Sequence, residues 1–224
     1  MSEHMALENL TVLDLTRVLA GPFCTMMLAD MGANVIKIEV PKGGDDTRGY
    51  PPFRAKNLNG ERESVYFANI NRNKKGITLN LKTPEGKEIF KELVKKADIV
   101  VENYRPGVMD KLGLGYDVLK EINPRIIYAA VSGFGCYGPY HMRPGYDILA
   151  QAMGGMMSIT GAKGGEPTRA GSALGDILGG LHVTIGILAA VNARNITGKG
   201  QRVDVSLMDS MIMATENTAL KYIE

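Results

Sequence analysis

Strand-like and helix-like segments alternate along the first 131 residues, and that alternation most restricts what the chain can fold into. Leu10-Thr-Val-Leu-Asp-Leu15 is a short β-rich run, and Gly21 to Gly32 follows as a helix with Pro near its start and Gly at its end. Ala33-Asn-Val-Ile-Lys-Ile-Glu39 is a second strand, so the three form a βαβ unit that should be parallel and right-handed. Gly76 to Leu81 reads as a strand. Thr83-Pro-Glu-Gly then opens a helix with Thr as cap and Pro at the first position, running to Lys96. Its apolar positions Ile89, Phe90, Leu93 and Val94 have helical spacing. Asp98 to Glu102 and Arg125 to Val131 are two more strands, with a helix over Tyr116 to Ile122 between them. Such alternation predicts an α/β fold: a Rossmann-like, mainly parallel sheet flanked by helices.

Beyond Val131 the pattern loosens. A loop, Ser132-Gly-Phe-Gly-Cys-Tyr-Gly-Pro139, precedes a helical stretch near Asp147 to Met157, and a second Gly-rich loop spans Thr160 to Pro167. A long apolar helix from about Asp176 to Asn195, a strand at Gln201 to Ser206 and a helix from near Asp209 complete the reading. Gly43 to Glu61 is rich in Gly, Pro and charge and is expected to be an exposed excursion. Lys221 to Glu224 stops inside a helical pattern, which is the expected sign of a fragment.

Composition narrows the function classes. The 224 residues carry a formal net charge of +2, too weak a bias for a nucleic-acid binder. Cys24 and Cys136 lack partners at metal-ligand spacing, so neither a metal site nor a disulfide framework is expected, and a reducing cytoplasmic setting fits. No secretion signal is recognised in the first residues, and no apolar run is expected to reach the ~18 to 20 residues of a membrane span.

In an open α/β sheet, ligands bind where strands end, so each junction is a candidate. Thr16 to Pro22 offers Arg17 and backbone N–H groups at a helix start, which suits a phosphate, but it lacks the Gly-x-Gly-x-x-Gly and Walker patterns. Arg17 stands open between anion ligand and surface residue. At Glu102 to Gly107, Tyr104 could stack an adenine while Asn103 and Arg105 donate hydrogen bonds; a polar turn closed by Pro-Gly is the competing reading. Asn71 to Lys75, with Lys82 and Lys111, is either solvated charge or a phosphate-binding set. Asp176 is the lone carboxylate between Ala170 and Leu181, a helix cap, a satisfied buried acid or a reactive group. His182 follows it by six residues, poor spacing for one helical face, and no Ser-His-Asp set can be assembled from His4, His141 and His182.

Taken in order, Val12-Leu-Asp-Leu-Thr-Arg-Val-Leu-Ala-Gly-Pro22, Gly32 to Glu39, Asn73 to Lys82, Asp98 to Gly107, Gly145-Tyr-Asp147, Leu174-Gly-Asp176 and Thr197 to Val203 resemble the class III coenzyme A transferases. That family also contains the carnitine dehydratase-type transferases and the α-methylacyl-CoA racemases. The resemblance implies transfer of coenzyme A from an acyl-CoA to a carboxylic acid, with Asp176 as nucleophile and acyl-aspartyl and aspartyl-CoA intermediates. It implies a coenzyme A site at Arg17, Leu19, Ala20, Leu79, Lys82, Asn103, Tyr104, Lys111 and Arg143, and no metal. Val40 stands where several members have a basic residue, with Lys42 as a possible substitute. Tyr146 stands where racemases carry a His, which favours transferase over racemase. By the same resemblance the chain is the N-terminal part of a large coenzyme A-binding domain. A small domain, a return segment and a Gly-rich loop over the Asp would lie outside it, in an interlocked homodimer. An inactive coenzyme A-binding fragment is the alternative from another class.

Overall fold

A computed structural model describes residues 4–54, 60 and 62–223. The chain builds β1 (Thr11–Asp14), α1 (Ala20–Asp30), β2 (Asn34–Glu39), β3 (Phe53–Arg54), β4 (Glu63–Ser64), α2 (Val65–Ile70), β5 (Lys75–Thr78) and α3 (Pro84–Val94). It continues through β6 (Ile99–Glu102), α4 (Val108–Leu112), α5 (Tyr116–Ile122), β7 (Ile127–Ser132), α6 (Asp147–Met153), α7 (Leu174–Thr197), β8 (Arg202–Ser206), α8 (Leu207–Ala214) and α9 (Glu216–Ile223).

Six strands pair in the order β5-β2-β1-β6-β7-β8, every pair parallel. Numbered along the chain within this sheet, the order is 3-2-1-4-5-6, the doubly wound arrangement, and its direction reverses between β1 and β6. The period-2 alternation of the strands divides the core in two. Val12, Ile99, Val101, Ile127, Ala129 and Val131 face the α1, α7 and α8 layer, where Cys24, Leu28, Val183, Ile187 and Met211 meet them. Leu13, Val100, Tyr128 and Ala130 face the opposite layer, against Phe90, Val94, Met109 and Leu119. Strand β5 is exposed at every residue, as suits a polar edge.

Local signals explain the boundaries of α3. Thr83 Oγ accepts the Gly86 N–H at 3.1 Å, and Pro84 occupies the first turn, where its missing N–H costs nothing. The structure also corrects four expectations. Ile89 is 51% exposed, so the buried stripe of α3 is Phe90 and Val94. The Gly43–Glu61 excursion is not wholly exposed: Asp45 and Thr47 are buried and Phe53–Arg54 pairs with Glu63–Ser64, while residues 55–59 and 61 lie outside the described residues. Lys74 does not carry solvated charge, because its side chain is buried against Asp14. Finally, the 24-residue α7 is long and apolar enough by length and composition to cross a membrane. One face of it packs on the core, with Gly179, Gly180, Val183, Thr184, Ile187 and Ala190 buried against α1 and the sheet.

Candidate active site

The crevice predicted at a topological switch point is present. A cleft of about 350 Å³ opens beyond the carboxyl ends of β1, β6 and β7. The loop after β1 supplies Arg17, Val18, Leu19 and Ala20, and the loop after β6 supplies Asn103, Tyr104 and Arg105. Arg143 and Tyr146 come from the segment before α6, and Asp176 from the first turn of α7. Of the residues expected from sequence, Arg17, Leu19, Ala20, Asn103, Tyr104, Arg143 and Asp176 thus line one cavity. Leu79, Lys82 and Lys111 do not. Leu79 packs against the second core layer, and Lys82 and Lys111 are exposed on segments that follow β5 and β6 at the same edge of the sheet. Val40 and Lys42 are exposed and also lie outside the lining.

Asp176 is the third residue of α7 and is half-buried. It is not the cap of that helix. The Gly175 N–H donates instead to Asp147 Oδ1 at 2.8 Å, so a carboxylate from α6 caps α7 across space while Ala173 offers no side-chain cap. Asp147 also accepts from Gln151 Nε2 at 2.8 Å, which fixes it in place. Among the described residues no side chain donates a hydrogen bond to Asp176. Burial, reinforced by the negative charge of Asp147, pushes its carboxyl up to about 7. A carboxylate so poorly solvated is a better nucleophile than one in water, and the partial positive charge at the helix start favours its anion. Two glycines make the geometry possible: a Cβ on Gly133 would lie 2.2 Å from Gly145 Cα, so only glycines let these two loops cross beside the cleft.

The β1–α1 loop is held by groups that sequence reasoning missed. Asp14 is fully buried. Its Oδ1 accepts the Thr16 N–H at 2.8 Å, and its Oδ2 accepts from Thr25 Oγ1 at 2.7 Å and Lys74 Nζ at 3.1 Å. Burial pushes this carboxyl up, but Lys74, Lys37 and the two threonines outweigh it and leave it below the usual carboxylate range. Burial correspondingly holds Lys74 below the usual lysine range. A second buried pair, Lys37 Nζ to Asp45 Oδ2, measures 2.9 Å. The available signal was one acid or one lysine inside each apolar strand, Asp14 in β1 and Lys37 in β2, since such charges must find partners. Val18 within this loop has φ of +67°, a conformation costing a β-branched residue about 1–3 kcal/mol.

Asn103 does not project freely into the cleft. Its Oδ1 accepts the Arg17 N–H at 2.8 Å and its Nδ2 donates to the Arg17 carbonyl at 2.7 Å. The Arg17 guanidinium is half-exposed, 3.6 Å from Asp46, a contact too solvated to hold it against a phosphate. Arg143 lies 4.0 Å over the Tyr140 ring, a stacking that leaves the edge of its guanidinium free for an anion. Behind Tyr104, the buried Glu102 accepts the Tyr104 N–H at 2.7 Å and the Tyr128 hydroxyl at 3.1 Å, and burial pushes its carboxyl up to about 7. His182 is directed away, with Nδ1 2.9 Å from Ser210 Oγ on α8. Burial raises the Cys24 thiol to about 12, so it is no nucleophile.

A doubly wound α/β sheet with a half-desolvated aspartate beside its switch-point crevice defines the class of domain. The particular family follows from comparison with known proteins: the chain matches the model of CoA-transferase family III over residues 7–224 and belongs to that family. It is 49% identical to an acyl-CoA transferase of Fusarium pseudograminearum over 99% of this chain and 49% of that protein. It is 48% identical to the succinyl-CoA:mesaconate CoA-transferase of Haloarcula marismortui over 97% of this chain and 55% of that protein. The crystal structure of a CaiB/BaiF family protein from Brucella suis superposes with a TM-score of 0.94 at 45% identity, covering 99% of this chain and 58% of that one. The chain spans about half the length of the curated relatives it matches.

Proposed function

We propose that this chain carries the coenzyme A-binding and nucleophilic part of an acyl-CoA transferase, with Asp176 as the acyl carrier. The observation that supports it most is the placement of Asp176: half-buried, without a cationic partner among the described residues, and facing a cleft lined by Arg17 and Arg143. In this reading an Asp176 oxygen attacks the thioester carbonyl, the C–S bond breaks, and an acyl-aspartyl anhydride and coenzyme A thiolate form. The thiolate then attacks the aspartyl carbonyl, releasing the first acid and leaving an aspartyl-CoA thioester. The incoming carboxylate displaces the thiolate as a second anhydride, and thiolate attack on the new acyl group regenerates Asp176. No net proton is consumed. Apolar walls from Leu19, Val131 and Leu207 exclude water that would hydrolyse the anhydride.

The remaining site roles belong to the same proposal. Arg17, Arg143 and the exposed Lys82 and Lys111 are assigned to the phosphates, Tyr104 to the adenine, and Leu19, Ala20 and Leu79 to apolar contacts. Asn103 shapes the binding loop. The chain is read as the N-terminal part of a large domain whose partners are an acyl-CoA, a carboxylic acid and, in the whole protein, a second copy in a cytoplasmic homodimer. Exposed Ile185, Ile196, Ile212 and Met213 in the α7–α8 layer support an apolar partner surface. A racemase reading finds no support, since Tyr146 offers no imidazole at the cleft.

Incubation with an acyl-CoA followed by borohydride or hydroxylamine trapping tests the assignment. The expected result is one modification, at Asp176, forming faster as pH rises through about 7 because the carboxyl ionises there. Asp176→Asn should give none. A modification elsewhere, or none in the unmodified chain, counts against it.

A further inference from the structure

The cleft wall between β1 and α1 is built in a costly conformation that its own sequence does not favour. Val18 has φ of +67°, although a valine in this region of backbone space is an outlier. Its neighbours explain how it persists, because the buried side chains of Asp14, Lys37 and Asp45 and the partly exposed Asn103 hold the polar backbone groups around it. Asp14 Oδ1 accepts the Thr16 N–H at 2.8 Å, and Lys37 Nζ donates to the Thr16 carbonyl at 2.9 Å. Asn103 holds both the N–H and the carbonyl of Arg17. Asp45 Oδ1 accepts the Val18 N–H at 3.2 Å, while its Oδ2 pairs with Lys37. Asp45 is itself fixed: its own N–H donates to Glu39 Oε2 at 2.8 Å, and it accepts from Thr47 N and Oγ1 at 3.0 and 2.8 Å.

We infer that Asp45, paired with Lys37, and Asn103 are positioning residues that hold Val18 in its left-handed conformation and so keep the Arg17–Ala20 wall of the cleft in its ligand-ready shape. The ion pair has a geometric reason to be buried here. One partner takes the carbonyl before Arg17 and the other takes the N–H after it, so the pair brackets Arg17 and ends on the N–H of the strained Val18. Lys37 lies on β2, Asp45 after it and Asn103 after β6, which means that the loop is clamped only when these segments are docked together. Asn103 then contributes to binding through the backbone of Arg17. This is a different role from that of a side chain donating to the ligand, and the two roles make opposite predictions. Strain imposed by a clamp can be relieved at the strained residue, because glycine adopts positive φ freely. A lost ligand contact cannot.

The test combines Asp45→Ala and Asn103→Ala, each alone and with Val18→Gly, and reads two quantities. Residue-resolved amide exchange, expressed as protection factors, follows the Arg17 and Val18 N–H groups without any ligand. Calorimetry with coenzyme A follows binding; this half rests on the coenzyme A reading above, and the exchange half does not. The clamp predicts roughly tenfold or greater loss of Val18 protection in Asp45→Ala and of Arg17 protection in Asn103→Ala, since each donor loses its acceptor. It also predicts weakening of coenzyme A binding by about tenfold in each, with Val18→Gly in the same chain restoring affinity to within about threefold of Val18→Gly alone. Unchanged exchange in both variants, or weakened binding that Val18→Gly fails to restore, overturns the inference. Asn103→Ala leaves the buried ion pair intact, so it decides the matter if Asp45→Ala does not fold. Absence of coenzyme A binding by the unmodified chain would overturn the coenzyme A reading, while the exchange data would still decide the clamp.

Discussion

At the scale of residues, two carboxyl groups, Asp176 in the cleft and Glu102 behind its wall, are desolvated enough to be raised towards neutrality. Asp176 opens into the cavity, where a raised but accessible carboxyl suits the proposed nucleophile. Glu102 sits beneath Tyr104 with only 7% of its surface exposed, where the same shift is a matter of stability. The folded state retains the Glu102 proton to about pH 7, whereas the unfolded chain releases it near 4.5. Stability from this group is therefore fully present below pH 4.5 and is lost as pH rises to about 7, roughly 3 kcal/mol in all. Glu102→Gln should remove that dependence while keeping an acceptor for Tyr104. Urea unfolding at pH 5 and pH 8 measures it. A difference between the two pH values as large in the variant as in the parent would show that other groups set the slope.

At the scale of elements, Asp176 is placed by the close crossing of α1 and α7. Gly180 is buried where a Cβ would come within 2.7 Å of the Ala20 carbonyl oxygen and 3.1 Å of Phe23 Cδ1. Because the first obstacle is backbone, Gly180→Ala must push the helices apart. The expected cost is about 1–3 kcal/mol, seen as a Tm lowered by roughly 2–10 °C. Gly76→Ala on the exposed edge strand is the control, since a Cβ there meets nothing within 4 Å. Equal melting temperatures for the two variants would show that the crossing has slack. The start of helix α3 was legible from Thr83-Pro84, although the reading ran two residues past its end at Val94. Helices α2 and α4 were not, because six and five residues carry too little periodicity to stand out from loops.

At the scale of the whole molecule, a net charge of +2 conceals a local concentration of cations, with Arg17, Arg105 and Arg143 all at one cleft mouth. Coenzyme A binding there should weaken severalfold between low and roughly 0.5 M salt, because exposed charges are screened beyond about 10 Å at 0.1 M and closer still above it. The Arg17→Ala/Arg143→Ala double variant should bind more weakly and with a flatter salt dependence. Calorimetry across a salt series checks this, and an unchanged slope would place the phosphates elsewhere. Sequence pattern alone determined the parallel α/β architecture, because a chain alternating apolar strands and capped helices has few other ways to bury both. It also marked Asp176 as exceptional, since a lone acid among glycines needs an explanation. Only the tertiary structure decided what surrounds that acid. Asp147 caps its helix from 28 positions away, and Lys37, Asp45 and Asn103 converge on the Thr16–Val18 backbone from β2, the segment after it and the segment after β6. Desolvation and backbone strain arise from neighbours in space, and neither has a period or a spacing along the chain.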